Sequence, residues 1–304
     1  MKIHTLLFSR EGKYSLETSS SLELLKEAAK KRGHELEVVH GFDCQLEFIG
    51  KPRVLYHNSP FKDLKILLVR ANFLGEDLDL HVSTILQFEH MGVPVVNDHL
   101  SVMRAKNKVR TLQILKRHNI PTPKSYVIRS SRYLSEVVEK IHSYPVILKT
   151  ITGSHGLGVS IAESERGLRS IIEMLIKDES SAPLIVQQYI KESSGKDLRI
   201  IVVGGKIVAA MERIAQGRDE FRSNFSLGGR VRVAELTKKE RQIARSAVKA
   251  MGLEIAGVDI IRTKDGPQVL EVNCNPGLSG ITQATGLDVA GRIIDYTVEK
   301  VMKK

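Results

Sequence analysis

Two hydrophobic periods alternate along the first hundred residues. KIHTLLF (2–8), HELEVVH (34–40), KILLVR (65–70) and VPVVN (93–97) read as strands, while SSLELLKEAAKKRG (20–33) and a stretch near 79–91 carry apolar positions at helical spacing. Gly33 and Gly92 stand where each helix needs a left-handed residue after its last turn. The order βαββαβ predicts a small, largely parallel sheet covered by helices. MRAKNKVRTLQILKRHNIPTP then reads as one basic helix stopped by Pro121 and Pro123, with a boundary near residue 100.

The pattern changes after residue 124. SYVIR, a helix near 133–142, PVILKT, the glycine-bearing TGSHGLG, GVSIAES, a helix near 165–177 and LIVQQYI make a second, α+β unit. Beyond the polar connector IKESSGK come two hairpins, DLRIIVVGGKIVAAMER and AGVDIIRTKDGPQVLEVN, with a helix over 237–251 between them and another over 287–302. The expected organisation is therefore three units, 1–100, 101–190 and 191–304.

Composition narrows the class. Apolar residues make up 42% and charged residues 27%, as in ordinary globular proteins, and no apolar run is long enough to span a bilayer. The N-terminal MKIHTLLFSREGK is too short in its apolar part for a signal peptide, so the cytoplasm is the expected compartment. Cys44 and Cys274 lie one in each half, which suits neither a disulfide framework nor a zinc site. A formal charge of +11 favours an anionic partner, and with aromatics at 5% and no Trp the stacking platforms of single-stranded nucleic-acid binders are scarce. A basic nucleic-acid module using the MRAKNKVR helix is the competing class, and it leaves the acidic residues of the C-terminal hairpin unexplained.

Those residues lie in VLEVNCNPG (269–277). Side chains alternate along a strand, so Glu271 and Asn273 share one face while Leu270, Val272 and Cys274 take the other. If the hairpin turns through the three residues Lys264-Asp265-Gly266, Asp259 lies across from Glu271; a two-residue Asp-Gly turn would set it across from Val272. Two carboxylates and an amide oxygen form a hard-oxygen set suited to Mg²⁺, the alternative being a sheet with one wet face. Such a cation calls for phosphates. TGSHGLGV (152–159) could bring backbone N–H groups close to an anion, and Lys149 ends an apolar strand just before it. On sequence alone Lys108 belongs to a solvated basic helix face, and Arg222 in FRSN is unremarkable. No nucleophile motif such as GxSxG is present, and His155 lies inside the glycine loop without metal-ligand spacing to the other histidines.

Taken in order, Lys108, PVILKT, TGSHGLGV, VQQYI, GKDLR, FRSN, AGVDI and EVNCNPGL resemble the ATP-grasp superfamily. More closely, they are similar to bacterial α-L-glutamate ligases that add glutamate to the acidic C-terminal tail of a ribosomal protein, and the likeness runs along nearly the whole chain. The resemblance implies an ATP-grasp fold, α/β and α+β: an N-terminal pre-ATP-grasp domain, a central lobe, and a C-terminal lobe with a metal site. It implies that Lys108 and Lys149 contact ATP phosphates, that the loop with Gly153, Ser154, Gly156 and Gly158 covers them, and that Gln188 and Tyr189 hold the adenine edge. Asp197 would be a nucleotide-site acid. Arg222, Ser223 and Asn224 would face the terminal phosphate, with Arg222 and Asn224 catalytic. Asp259, Glu271 and Asn273 would bind one or two Mg²⁺ (or Mn²⁺) ions. Gln188 stands where a glutamate is frequent, and Cys274-Asn275 where small residues usually precede Pro-Gly. The implied reaction joins a carboxylate to an amine through an acyl phosphate, with L-glutamate and an acidic polypeptide as substrates, no direct nucleic-acid contact, no membrane, and a homo-oligomeric protein. Relatives that glutamylate a small-molecule cofactor or an amino-acid carrier protein supply the alternative.

Overall fold

The computed structural model describes the chain apart from residues 12, 74–76, 142–143, 152–157, 177, 179–180, 194, 217–228 and 304. The N-terminal region runs β1 (Lys2–Leu7), α1 (Leu16–Lys31), β2 (Glu35–His40), β3 (Cys44–Glu47), β4 (Arg53–Tyr56), β5 (Ser59–Pro60), β6 (Leu67–Arg70), α2 (Leu78–His90) and β7 (Val95–Val96). Its main sheet is parallel throughout, in the order β2-β1-β6-β7. The short strands β3–β5 pair separately as an antiparallel flap that the hydrophobic pattern did not announce. Gly33 and Gly92 do take left-handed φ values of 70° and 78° directly after the helix caps.

The basic helix expected after residue 100 is two helices, α3 (His99–Ala105) and α4 (Lys108–Arg117). Asn107 is the reason. Its backbone is extended, and its side chain accepts from the N–H groups of Val109 and Arg110 at 3.0 and 3.1 Å, so it caps a fresh helix where the charge pattern suggested continuity.

The central region comprises β8 (Ser125–Ile128), α5 (Leu134–Ile141), β9 (Val146–Thr150), β10 (Val159–Ala162), α6 (Glu165–Leu175) and β11 (Leu184–Gln188). These strands form an antiparallel sheet, β10-β9-β11-β8, with α5 and α6 packed on it. The last region holds β12 (Lys196–Val203), β13 (Lys206–Ile214), β14 (Arg230–Val233), α7 (Lys238–Met251), β15 (Ile255–Thr263), β16 (Gly266–Asn273), α8 (Ser279–Thr285) and α9 (Val289–Met302). Its five-stranded antiparallel sheet has the order β14-β13-β12-β15-β16. The start of α7 is written locally: Thr237 and Glu240 close a capping box, and Gly252 ends the helix at φ 76°.

The cores show how these regions combine. One cluster joins Val69, Phe88 and Val95 of the N-terminal region to Ile200, Val258 and Val272 of the C-terminal sheet, and a second joins Ile3, Leu25 and Leu68 to Ile201, Ile281 and Ile294. Leu134, Val146, Leu148, Leu168 and Val186 form a separate cluster inside the central region. Asn97, which is 1% exposed, stitches the N-terminal and C-terminal regions together. It donates to the carbonyls of Ile255 and Cys274 at 2.8 and 3.1 Å and accepts from the N–H groups of Glu254 and Ile255 at 2.8 and 2.9 Å. With donor and acceptor capacity both filled, it can sit in the interior at little cost.

Candidate active site

β16 carries the first candidates. Its pairing with β15 begins at Thr263 opposite Gly266, so the hairpin turns through the two residues Lys264-Asp265 and not through three. A turn of that length alone would not set Asp259 opposite Glu271. The register instead slips at a β-bulge, where Ile260 faces Val269 and the next pair is Asp259 with Glu271, leaving Leu270 as the extra residue. The bulge also alters which way side chains point. Val269, Val272 and Cys274 are buried in the core, whereas Leu270 is only half-buried and lines a small cavity beside Glu271. Leu270 therefore does not share the face of Val272 as strict alternation requires.

Asp259 is 5% exposed and enclosed by arginines. Arg199, its cross-strand neighbour on β12, donates from Nε to Oδ1 and from Nη2 to Oδ2, the latter at 2.9 Å, and Arg213 Nη2 donates to Oδ2 at 2.7 Å. Arg213 in turn forks onto Asp197 with bonds of 2.7 and 2.6 Å. The result is a buried chain, Arg199–Asp259–Arg213–Asp197, in which strand alternation on three neighbouring strands brings alternate charges to one face. Burial alone would penalise the Asp259 carboxylate, and the two guanidiniums overcome it, holding the carboxyl below its ordinary value. Burial likewise opposes charge on Arg213, and its two carboxylates more than offset that, raising its pKa.

This arrangement changes two expectations. The Asp197 carboxylate faces Arg213 through both oxygens, so it does not stand free at a nucleotide site. Asp259 has both oxygens engaged by arginine. Glu271 differs, because no described residue donates a hydrogen bond to it. Asn273 Oδ1 accepts only the N–H of Asn275, at 2.9 Å, among the described residues. No group of three or more His, Cys, Asp or Glu side chains among those residues is arranged to hold a metal. The candidate set is thus two carboxylates and an amide, with Glu271 and Asn273 carrying the available oxygens, a donor chemistry that fits Mg²⁺.

Lys149 approaches from the central sheet. It is half-buried, and Nζ donates to Gln187 Oε1 at 2.7 Å, while Gln187 Nε2 donates to Ser125 Oγ at 2.8 Å. Burial pushes the ammonium down to about 8, Lys108 acts in the same direction, and the carboxylates of Glu271, Asp259 and Asp197 oppose it. Lys108 is the first residue of α4, and its backbone N–H donates to the carbonyl of Ile151 at 3.1 Å, tying that helix to the segment after β9. Lys108, Lys149, Gln187, Leu270 and Glu271 line one cavity of about 20 Å³. The structure thus brings together Lys108, Lys149 and Glu271, which are far apart in sequence.

On the other side of Glu271 opens a larger cleft of about 380 Å³ between the N-terminal and C-terminal sheets. Arg70, Lys106, Arg199, Arg213, Glu271 and Asn273 are among its walls. Lys106 donates to the Phe73 carbonyl at 2.8 Å and lies 4.8 Å from that ring, and burial lowers its pKa. Sequence reasoning passed over these basic residues. Arg199 and Arg213 interrupt strands as apolar as LRIIVV and VAAMER, the same signal that singled out Asp259. Gln188 and Tyr189 sit at the end of β11, where the Gln188 N–H donates to the Lys124 carbonyl at 2.8 Å. Gly158 takes φ 71°, and a side chain there would run into Thr150. Gly153, Ser154, Gly156, Arg222, Ser223 and Asn224 lie outside the described residues.

A clasp of this kind, with cations and an open carboxylate between an antiparallel sheet and a fused α/β body, is the ATP-grasp architecture. The chain is similar in fold to the RimK domain ATP-grasp protein of Sphaerobacter thermophilus, with a TM-score of 0.71 at 22% identity over 98% of this chain and 100% of that one. It is similar to ATP-grasp ligase PsnB complexed with minimal precursor, Mg and ADP, with a TM-score of 0.73 at 18% identity over 99% and 97% of the two chains. The RimK-like ATP-grasp domain family matches residues 105–297, and the RimK PreATP-grasp domain family matches residues 1–102. A probable alpha-L-glutamate ligase of Teredinibacter turnerae is 39% identical over 286 residues, 92% of this chain and 91% of that protein. The chain belongs to the RimK-like ATP-grasp family and is an ATP-dependent ligase. No helix among the described residues is long and apolar enough to cross a membrane.

Proposed function

We propose that this ligase joins L-glutamate to a carboxylate on an acidic polypeptide, most simply a ribosomal-protein C-terminal tail. The observation that carries the reading is the cleft at Glu271, whose walls hold five basic side chains, Lys13, Arg70, Lys106, Arg199 and Arg213, against two acids, Glu17 and Glu271. Such a cleft suits substrates that are themselves anions. The relative from Teredinibacter turnerae, named a probable alpha-L-glutamate ligase, supports glutamate as the added unit.

In this reading Lys108 and Lys149 neutralise ATP phosphates, the segment holding Gly153, Ser154, Gly156 and Gly158 covers them, and Gln188 and Tyr189 border the base. Asp197 orients Arg213 toward the cleft. Glu271, Asn273 and Asp259 would hold one or two Mg²⁺ ions. The bound metal supplies electrostatic stabilisation of charge on the transferring phosphoryl group. Arg222, Ser223 and Asn224 meet that group and the acceptor carboxyl. The acceptor carboxylate displaces ADP from the γ-phosphate to give an acyl phosphate; the glutamate amine then attacks the acyl carbon, loses a proton and expels phosphate. The protein's task is to position charge and keep water out. The same reading divides the chain into a pre-ATP-grasp domain (1–100), a central lobe (101–190) and a metal-site lobe (191–304).

The test is an incubation with Mg-ATP and a panel of amino acids, with and without an acidic peptide, following ADP release and product mass. ADP formation that requires both glutamate and the peptide is the expected result. ADP formed with small molecules alone redirects the reading to a cofactor or another small acceptor.

A further inference from the structure

Arg70, at the end of β6, is a buried cation with no carboxylate bonded to it among the described residues. It is 6% exposed and lines the 380 Å³ cleft. Its one hydrogen bond among the described residues runs from Nη2 to the carbonyl of Pro276, at 2.8 Å. A guanidinium carries five N–H donors, and a buried one ordinarily finds an anion. Burial pushes Arg70 down to about 10, with Glu17 and Cys274 opposing, so it stays charged at neutral pH.

The contrast with its neighbours is informative. Arg199 and Arg213, on the opposite wall, are neutralised by Asp259 and Asp197. Lys108 and Lys149 lie in a different cavity, on the far side of Glu271. Glu271 is the residue the two cavities share, which in the ligase reading makes it the meeting point of nucleotide and substrate. A phosphate-binding role for Arg70 would set it on the lysine side. It lines the larger cleft instead, with donors to spare and Lys106 on the same wall.

From this geometry we infer that Arg70 binds the unactivated carboxylate of the incoming amino-acid substrate, holding that carboxylate away from the phosphoryl group while the amine faces the reacting carbon. The inference rests on the ligase reading above and extends it to a named anchor on the N-terminal sheet. It makes Arg70 a residue kept for the ligand, so its removal should not weaken the fold.

Steady-state ADP release by the full chain tests this for the wild type, Arg70→Gln and Arg70→Lys. Arg70→Gln should raise the KM of the amino acid about 10- to 100-fold, the usual weight of hydrogen bonds to a charged group, with KM for Mg-ATP within about twofold. Arg70→Lys should recover part of the loss, since it keeps the charge without the fork. Arg70→Gln should melt no lower than the wild type. An unchanged amino-acid KM overturns the inference, as does a rise confined to the acceptor peptide or shared equally by Mg-ATP, which would mean that Arg70 only props the Pro276 segment. If another amino acid drives turnover in place of glutamate, the glutamate reading falls, and Arg70 is judged on the KM of that amino acid. Calorimetric titration of glutamate, and of the rest of the panel, in the presence of a non-hydrolysable ATP analogue reads the same contact without turnover. Equal affinity in wild type and Arg70→Gln, or no binding to the wild type in either assay, overturns it.

Discussion

The two walls that meet at Glu271 are made differently. The C-terminal sheet shares two hydrophobic cores with the N-terminal region, and its arginines are tied to aspartates inside that fused body. The central sheet closes a core of its own, and its cation, Lys149, is held by the neutral amide of Gln187. In the C-terminal sheet Arg199 and Arg213 are matched by Asp259 and Asp197, whereas the central sheet presents Lys149 with no carboxylate bonded to it among the described residues. A nucleotide phosphate can claim Lys149 without breaking an ion pair, and the lobe that carries it can shift without tearing a shared core.

Breaking the body should cost most. Arg213→Met leaves Asp197 and Asp259 buried without their shared partner, and should destabilise the protein by about 3–5 kcal/mol in a denaturant titration. A loss under about 1 kcal/mol would show that the network is not structural. Next in size is Glu271→Ala. It should cut ATP turnover by about 10²–10³-fold, the usual loss for a positioned transition-state contact, with the melting temperature unchanged because no described residue bonds to that carboxylate. Removing divalent metal with EDTA should match it; a folded variant with wild-type turnover would refute the metal role of Glu271.

Lys149→Met sharpens the comparison from the other wall. It should raise KM for Mg-ATP roughly 10-fold, as expected for one charged hydrogen bond, while leaving melting equal or higher because a partly desolvated charge is removed. A lower melting temperature would place Lys149 with the structural charges. The smallest effect is a pH dependence. Lys149 titrates near 8, so nucleotide affinity should fall as pH rises through that value, and Lys149→Arg should flatten the profile. Stability of the ligand-free protein moves the opposite way. Its folded pKa lies below the ordinary 10.5, so between about 8 and 10.5 the unfolded chain binds the extra proton and stability rises with pH.

Much of this was legible in the strands. Polar residues in VLEVN marked Glu271 and Asn273 as sharing a face, and a lone lysine ending PVILKT marked Lys149. The arginines were missed because their surroundings are built from residues remote in sequence: Arg213 lies between Asp197 and Asp259, and Arg70 touches the carbonyl of Pro276 at the edge of the cleft. The break at Asn107 was missed because helical apolar spacing continues across it, and only the Asn side chain signals a new start. The turn length was misjudged for a different reason. Gly266 adopts φ 111°, which looks like a turn residue in sequence but belongs to the first pair of the strand.

The bulge at Leu270 gives the hairpin a joint. Pairing on the turn side of Leu270 and pairing on the active-site side run in two different registers, and one unpaired residue absorbs the mismatch. The tip of this hairpin is therefore free to drift over evolutionary time, because a residue gained or lost there can be taken up at the joint before it rotates Glu271 out of the cleft. An engineer could graft a longer loop between Thr263 and Gly266 on the same ground, treating the hairpin as a handle on an enzyme whose chemistry is insulated from it.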